Sequence, residues 1–235
     1  MKRSIAELIT RDPEKFAHHD RVFKNNPVVM QGMGLAPLVV LATTGKNALM
    51  LAVAVALLLT PSRMLACLVS RLFPLRDEQP APEELEKKLL PRALVYSGSA
   101  AVVYLAAYPI LNAVFGTDLL MLGIYLPIMV VEPSIVKRME FSDLEPVRDA
   151  FRHGFNNALG MCVVLLIVGC LRELLATGSV FGNVILHNAL LPLAALPAGG
   201  FVIVGILAAI WCAAANLYTD YKHEEVRRLY ADRKH

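Results

Sequence analysis

Long stretches of this chain carry almost no charge. Residues 27–44, 47–72, 93–115, 119–136, 154–176 and 189–217 are apolar runs broken by only a few ionisable side chains, and about 20 such residues in a helix cross the hydrocarbon core of a bilayer. Composition agrees: 56% of the 235 residues are hydrophobic, 18% are charged and the mean hydropathy is +0.53. A globule built from this chain would lack the polar surface to cover itself, which excludes a disordered segment, a coiled coil and an ordinary soluble enzyme. Lipid is the expected solvent. Four cysteines are too few for a disulfide scaffold.

The runs predict six membrane spans in an all-α domain over 27–217, between an N-terminal segment 1–26 and a tail 218–235. The first contains Gly32, Gly34 and Pro37 and the fourth Pro127, Glu132 and Pro133, so both are expected to be short or broken helices, tolerated where neighbouring helices satisfy the freed backbone groups. Ile5, Leu8 and Ile9 share one helical face; they fit either a surface helix or a loose tail. The last run is interrupted early, at Pro192 and at Pro197-Ala198-Gly199-Gly200.

Basic residues set the orientation, because cytoplasmic loops retain lysine and arginine. Twenty of the 23 fall before residue 25, in 71–92, in 137–152 or after 221; the remainder are Lys46, Arg63 and Arg172. The turns at 116–118 and 177–188 have none. Six spans place both termini inside, in the cytoplasm, and the charge-poor turns outside. No apolar core of a cleavable signal peptide precedes the first run.

The chain also repeats itself. Asn47-Ala48-Leu49 opens the second run and Asn157-Ala158-Leu159 lies near the start of the fifth; sixteen residues after each asparagine stands an ionisable residue, Arg63 or Glu173. Gly34-Leu35-Ala36-Pro37 and Gly123-Ile124-Tyr125-Leu126-Pro127 precede them in the same order. Three spans per half is an odd number, so the second copy, about 119–217, should sit upside down relative to the first, about 27–115. Such repeats place their working site near the midplane, where broken helices meet.

Lys24-Asn25-Asn26-Pro27, Gly34-Leu35-Ala36-Pro37-Leu38, Leu122-Gly123-Ile124-Tyr125-Leu126-Pro127, Leu171-Arg172-Glu173, Thr177-Gly178-Ser179-Val180-Phe181-Gly182 and Leu196-Pro197-Ala198-Gly199-Gly200 together resemble the paired integral membrane subunits shared by Rnf complexes and sodium-translocating NADH:quinone reductases. The E-type subunit of Rnf, equivalent to the D-type subunit of the reductase, is the most similar. The resemblance implies a six-helix subunit with inverted halves in a bacterial inner-membrane electron transport complex coupled to Na+ or H+ translocation. Its implied partners are a homologous membrane subunit of opposite orientation and the other subunits of the complex. It also implies a [2Fe–2S] cluster shared by the pair, each chain giving a cysteine from a Gly-Leu-Cys-Pro segment and one from an Asn-Cys pair. Ala36 and Pro133 occupy those positions here. Neither has a ligating side chain, so no cofactor is expected on this chain. The alternative is a cluster-free relative that acts as a transporter or permease with a homologous partner.

No nucleotide loop, metal-ligand spacing or nucleophile–base pair is present, and no catalytic residue is assigned; such a subunit is not an enzyme by itself. Nucleic acid is not an expected partner. The candidates for an ion pathway are Glu132, Arg63, Arg172 and Glu173. A carboxylate inside an apolar run usually faces a cavity or a partner charge, while Glu132 is also five residues from Lys137 and within reach of the interface by snorkelling. The other three fit either interfacial anchors or, as a functional alternative, an ion pair between helices or a gate. Cys67, Cys162, Cys170 and Cys212 read as apolar packing residues. Asn25, Asn26, Asn47, Asn156 and Asn157 read as caps at span ends, and His187 and Trp211 as interface residues.

Overall fold

The computed structural model describes residues 22–72, 82–140 and 146–232. The first run is not one helix. It passes through turns at 27–34 before α1 (Leu35–Leu41) begins, and the fourth run divides into α4 (Asp118–Leu122) and α5 (Tyr125–Glu140). Both breaks fall at glycines in the left-handed region, Gly34 at φ +69° and Gly123 at φ +47°, a conformation that opposes a Cβ and stops helical propagation. Four helices among the described residues are long and apolar enough to cross a membrane. They lie in α2 (Gly45–Leu72), α3 (Pro82–Phe115), α6 (Val147–Thr177) and α7 (Pro197–Asp232). The mostly helical, membrane-type architecture agrees with the sequence reading. Residues 1–21, including the Ile5, Leu8 and Ile9 face, lie outside the described residues, as do 73–81 and 141–145 within the two basic connectors.

The centre of the molecule is an antiparallel pair, α2 against α6. At one end a Cβ on Gly169 would fall 2.3 Å from the Ala48 Cβ, and at the other a Cβ on Gly154 would fall 3.2 Å from the Thr60 Cα. Glycine therefore lets the backbones touch where any side chain would separate them, a common means of helix association in lipid. Between these ends the Cys162 thiol donates to the Ala52 carbonyl at 3.2 Å. Residues 52 and 162 are 110 apart, the same offset that separates Asn47 from Asn157 and Arg63 from Glu173.

The other helices surround this pair. α3 packs on α2 and α5, while α7 leans on α1 and on a short 3-10 turn, Pro192–Ala195. The apolar spans of α2 and α6 are 56% and 50% buried against 22% and 28% for those of α3 and α7, so the last two are the peripheral helices. Leu105, Val114, Ile206 and Leu217 on them face outward, as expected of side chains solvated by lipid or a partner rather than by water.

One feature departs from a purely helical reading. The charge-poor turn after α6 forms a small antiparallel hairpin, β1 (Ser179–Val180) with β2 (Asn183–Val184). Lys46, an exception to the basic-residue pattern, pairs with Asp118 at 2.7 Å on the same side of the fold as the start of α2 and of α4.

Candidate functional site

The two interrupted segments touch, α1 against α5. Where α1 begins, the Gly34 N–H donates to Oε2 of Glu132 in α5 at 3.2 Å. Gly34 is itself covered by the second half: a Cβ there would meet the terminal methyls of Met161 and Met129 at 3.1 and 3.3 Å. Pro133 follows Glu132 and has no N–H for the Met129 carbonyl one turn earlier. The junction thus assembles a half-buried carboxylate, a helix break and a carbonyl deprived of its usual partner. Of the four charged candidates, Glu132 is the one brought to this place.

Arg172 and Glu173 do different work. The Arg172 side chain is completely buried, yet its guanidinium meets only backbone carbonyls. Nη1 donates to Val39, Ala42 and Leu38 at 2.6, 3.2 and 3.4 Å; Nε donates to Ala194 at 2.9 Å and Nη2 to Ala195 and Leu196 at 3.3 Å. Gly200 lets α7 pass against the flat guanidinium, since a Cβ there would lie 2.9 Å from its central carbon. These carbonyls belong to the end of α1, to the 3-10 turn and to Leu196 just after it, near helix ends where intrahelical donors run out; those of Leu38 and Leu196 also accept the Ala42 and Gly200 N–H.

Glu173 takes donors in the same way. Its oxygens accept from the backbone N–H of Gly45 at 2.7 Å, Gly182 at 2.8 Å and Phe181 at 3.1 Å, and from the Ser179 hydroxyl at 3.1 Å. Gly45 is the first residue of α2. Phe181 has φ +51°, a costly value for a side chain of that size, and its N–H is fixed by this carboxylate. The sequence leaves this pair open between an ion pair joining helices and interfacial anchors; the geometry gives each residue backbone partners instead.

Arg63 is buried toward the other end of α2, beside Gly154, well removed in sequence from the Glu132 junction. Asn26 acts as a cap, its Oδ1 accepting from the Val28 and Val29 N–H at 2.9 and 3.2 Å. Its Nδ2 also donates to the Gly160 carbonyl of α6 at 2.9 Å, a contact across 134 residues that local spacing does not reveal. Asn47 donates to the Leu41 carbonyl at 3.3 Å and so bridges α1 and α2. Asn157 is not at a helix end; it is buried inside α6, and its Oδ1 has no hydrogen-bond partner. Trp211 donates to the Phe23 carbonyl at 2.8 Å and packs on its ring, which ties the segment before α1 to α7.

The positions that a shared cluster would use do not fit one. Ala36 is exposed near the start of α1 and offers a methyl group, Pro133 is buried and offers only its ring, and iron in such clusters is held by thiolates or imidazoles. All four cysteines are free thiols.

Over residues 16–208 the sequence matches the family described as Rnf-Nqr subunit, membrane protein. It is 32% identical over 205 residues to the E-type subunit of the ion-translocating oxidoreductase complex of Haemophilus influenzae strain PittEE, covering 80% of this chain and 81% of that protein. The protein of the same description from Pasteurella multocida strain Pm70 is 28% identical over 223 residues, 88% of this chain and 93% of its own. That of Vibrio cholerae serotype O1 strain O395 is 31% identical over 204 residues, covering 80% and 83%.

Proposed function

Because the chain belongs to the Rnf-Nqr family of membrane subunits, we propose that it is the E-type membrane subunit of an ion-translocating oxidoreductase complex, in which electron transfer drives Na+ or H+ across the membrane. The observation that carries this reading is the likeness to the E-type subunits of such complexes along four fifths of the chain, in a protein with four membrane-length helices. Its partners are then the other subunits of that complex, including a homologous membrane subunit of opposite orientation. Its place is the bacterial cytoplasmic membrane, with both termini inside.

Six crossings in two inverted halves suit the geometry. A twofold axis in the membrane plane that exchanges residue n with residue n + 110 exchanges Ala52 with Cys162, and these two meet at the middle of the α2–α6 contact. The turn-then-α1 segment and the α4-break-α5 segment correspond at a different spacing, 89 residues from Gly34 to Gly123, and each is interrupted at a glycine of positive φ. Broken helices of inverted repeats hold ions with freed backbone groups and a carboxylate near the midplane. In this reading Glu132 is the group that holds or passes the cation, while Arg172 and Glu173 keep the outer ends of the helices in place around it.

The test is made in native membranes. An affinity-tagged chain should co-purify with redox subunits, and Glu132→Gln, which keeps the shape and removes the charge, should leave assembly intact and abolish most of the coupled ion uptake. A chain that brings down only a homologous membrane partner, with no redox subunit, would overturn this reading in favour of a cluster-free permease, the alternative that Ala36 and Pro133 recommend. Coupled uptake unchanged in Glu132→Gln would return that residue to an interfacial anchor.

A further inference from the structure

In the family that this chain resembles, the meeting point of the broken segments is where a pair of subunits shares an iron–sulfur cluster. This chain has built something else there. Position 36 carries a methyl group, position 133 a proline ring, and the Glu132 carboxylate between them and the first segment is turned to the Gly34 N–H. Met129 and Met161 close over Gly34 from the other half, filling space next to the break with thioether side chains.

The remaining thiols do not replace the missing ligands. Cys162 is spent on the Ala52 carbonyl within the α2–α6 contact. Cys170 lies eight residues further along α6, about 12 Å away along the helix axis. Cys67 is buried in α2, and the Cys212 sulfur on α7 sits 3.3 Å from the Met30 thioether. Among the described residues no three histidine, cysteine, aspartate or glutamate side chains converge. A binuclear cluster shared by two chains asks each for two thiolates or imidazoles, and here the two positions carry a methyl group and a proline ring beside a carboxylate that already holds a backbone N–H.

We infer that in this chain the junction of the two broken segments is closed by the Glu132 carboxylate, and that the chain supplies no ligand to an iron–sulfur cluster shared with its partner. An electron path through thiolate-bound iron has no foothold on this subunit. What remains to it is the helical frame and the carboxylate. The inference rests on the proposed membership of a redox complex only for the identity of the partner.

Two measurements test it. In the complex isolated from native membranes, non-haem iron, acid-labile sulfide and the electron paramagnetic resonance spectrum of the reduced state are compared between the parent and a variant carrying Cys67→Ala, Cys162→Ala, Cys170→Ala and Cys212→Ala, with the four single Ala variants alongside in case the combined one fails to assemble. Unchanged iron, sulfide and spectrum are expected. Loss of two iron and two sulfide per chain in any variant that still assembles would overturn the inference. For the junction itself, Glu132→Ala should lower the thermal midpoint of the solubilised full-length chain by at least about 2–4 °C, with most of the loss restored in Glu132→Gln, which keeps an acceptor oxygen in place. Equal losses in the two variants, or none in either, would show that the carboxylate does not close the junction. Both readouts are informative on this chain even if no redox subunit co-purifies, so failure of the proposed function and failure of this inference are separable.

Discussion

Arg172 and Glu173, neighbours in α6, cap opposite ends of the same bend. Arg172 receives the carbonyls of Leu38, Val39 and Ala42 where α1 stops, and Glu173 receives the N–H of Gly45 where α2 starts. Each charge therefore lies at the helix end whose dipole it complements, the cation at a C-terminus and the anion at an N-terminus. Two charges that would be costly in an apolar span are stabilised by backbone groups that would otherwise be costly themselves. The bend at 42–44 is held from the second half of the chain.

Removing Arg172 should be among the most damaging single changes. Arg172→Ala takes the guanidinium donors from the carbonyls of Val39, Ala42, Ala194 and Ala195 together, and with about 1–3 kcal/mol for each buried acceptor left unsatisfied a loss of several kcal/mol is expected. Arg172→Lys keeps the charge but cannot serve two groups of carbonyls with one flat fork, so it should recover only part of that loss. Thermal unfolding of the solubilised chain, compared across the three proteins, checks the order.

Glu173→Gln should be milder. The amide keeps one acceptor oxygen but points its NH2 at backbone donors, and about 1–3 kcal/mol is the expected cost of leaving such groups unsatisfied. The loosened hairpin gives a second readout: protease cleavage near Phe181 from the outer side should become faster than in the parent. Equal cleavage rates would mean that the hairpin does not depend on this carboxylate.

Gly169 is where α2 and α6 come closest. Gly169→Ala sets a methyl 2.3 Å from the Ala48 Cβ, and overpacking of this kind costs about 1–3 kcal/mol. The Thr44 carbonyl is also only 2.9 Å from the added methyl, so Ala48→Gly in the same chain should rescue the variant partly and not fully. A double-mutant cycle on thermal stability measures the coupling.

Topology gives a fourth outcome. Reporter fusions at Asp118 and Gly182 should register outside and fusions at Gln79 and His235 inside, since 20 of the 23 basic residues fall in the two terminal segments and the two connectors, which the retention of basic loops would keep in the cytoplasm. Lys46 is consistent with this arrangement because Asp118 neutralises it, with the two side chains 68% and 42% exposed. At that exposure the pair is worth no more than about 1 kcal/mol, so Lys46→Ala should leave fusion orientation and stability almost unchanged.

The sequence by itself determined the solvent of this protein, the number and order of its apolar runs, the breaks in the first and fourth, and its family. All of these depend on local properties: hydropathy over about 20 residues, the left-handed freedom of Gly34 and Gly123, the missing N–H of a proline, and an ordered series of short motifs. Glu132 was legible as a candidate because a carboxylate in an apolar run is conspicuous in one dimension, and the near-match of 47–49 with 157–159 suggested that the two halves correspond. What only the tertiary structure decided is which groups meet. Gly34 finds Glu132 across 98 residues, and Asn26 finds Gly160 across 134. Arg172 and Glu173 turn to the ends of α1 and α2 rather than to another ionised group. No spacing rule foretells those contacts, because in a medium without water the partner of a buried charge is whichever backbone end the packing leaves unpaired, and that is fixed by how α2 crosses α6.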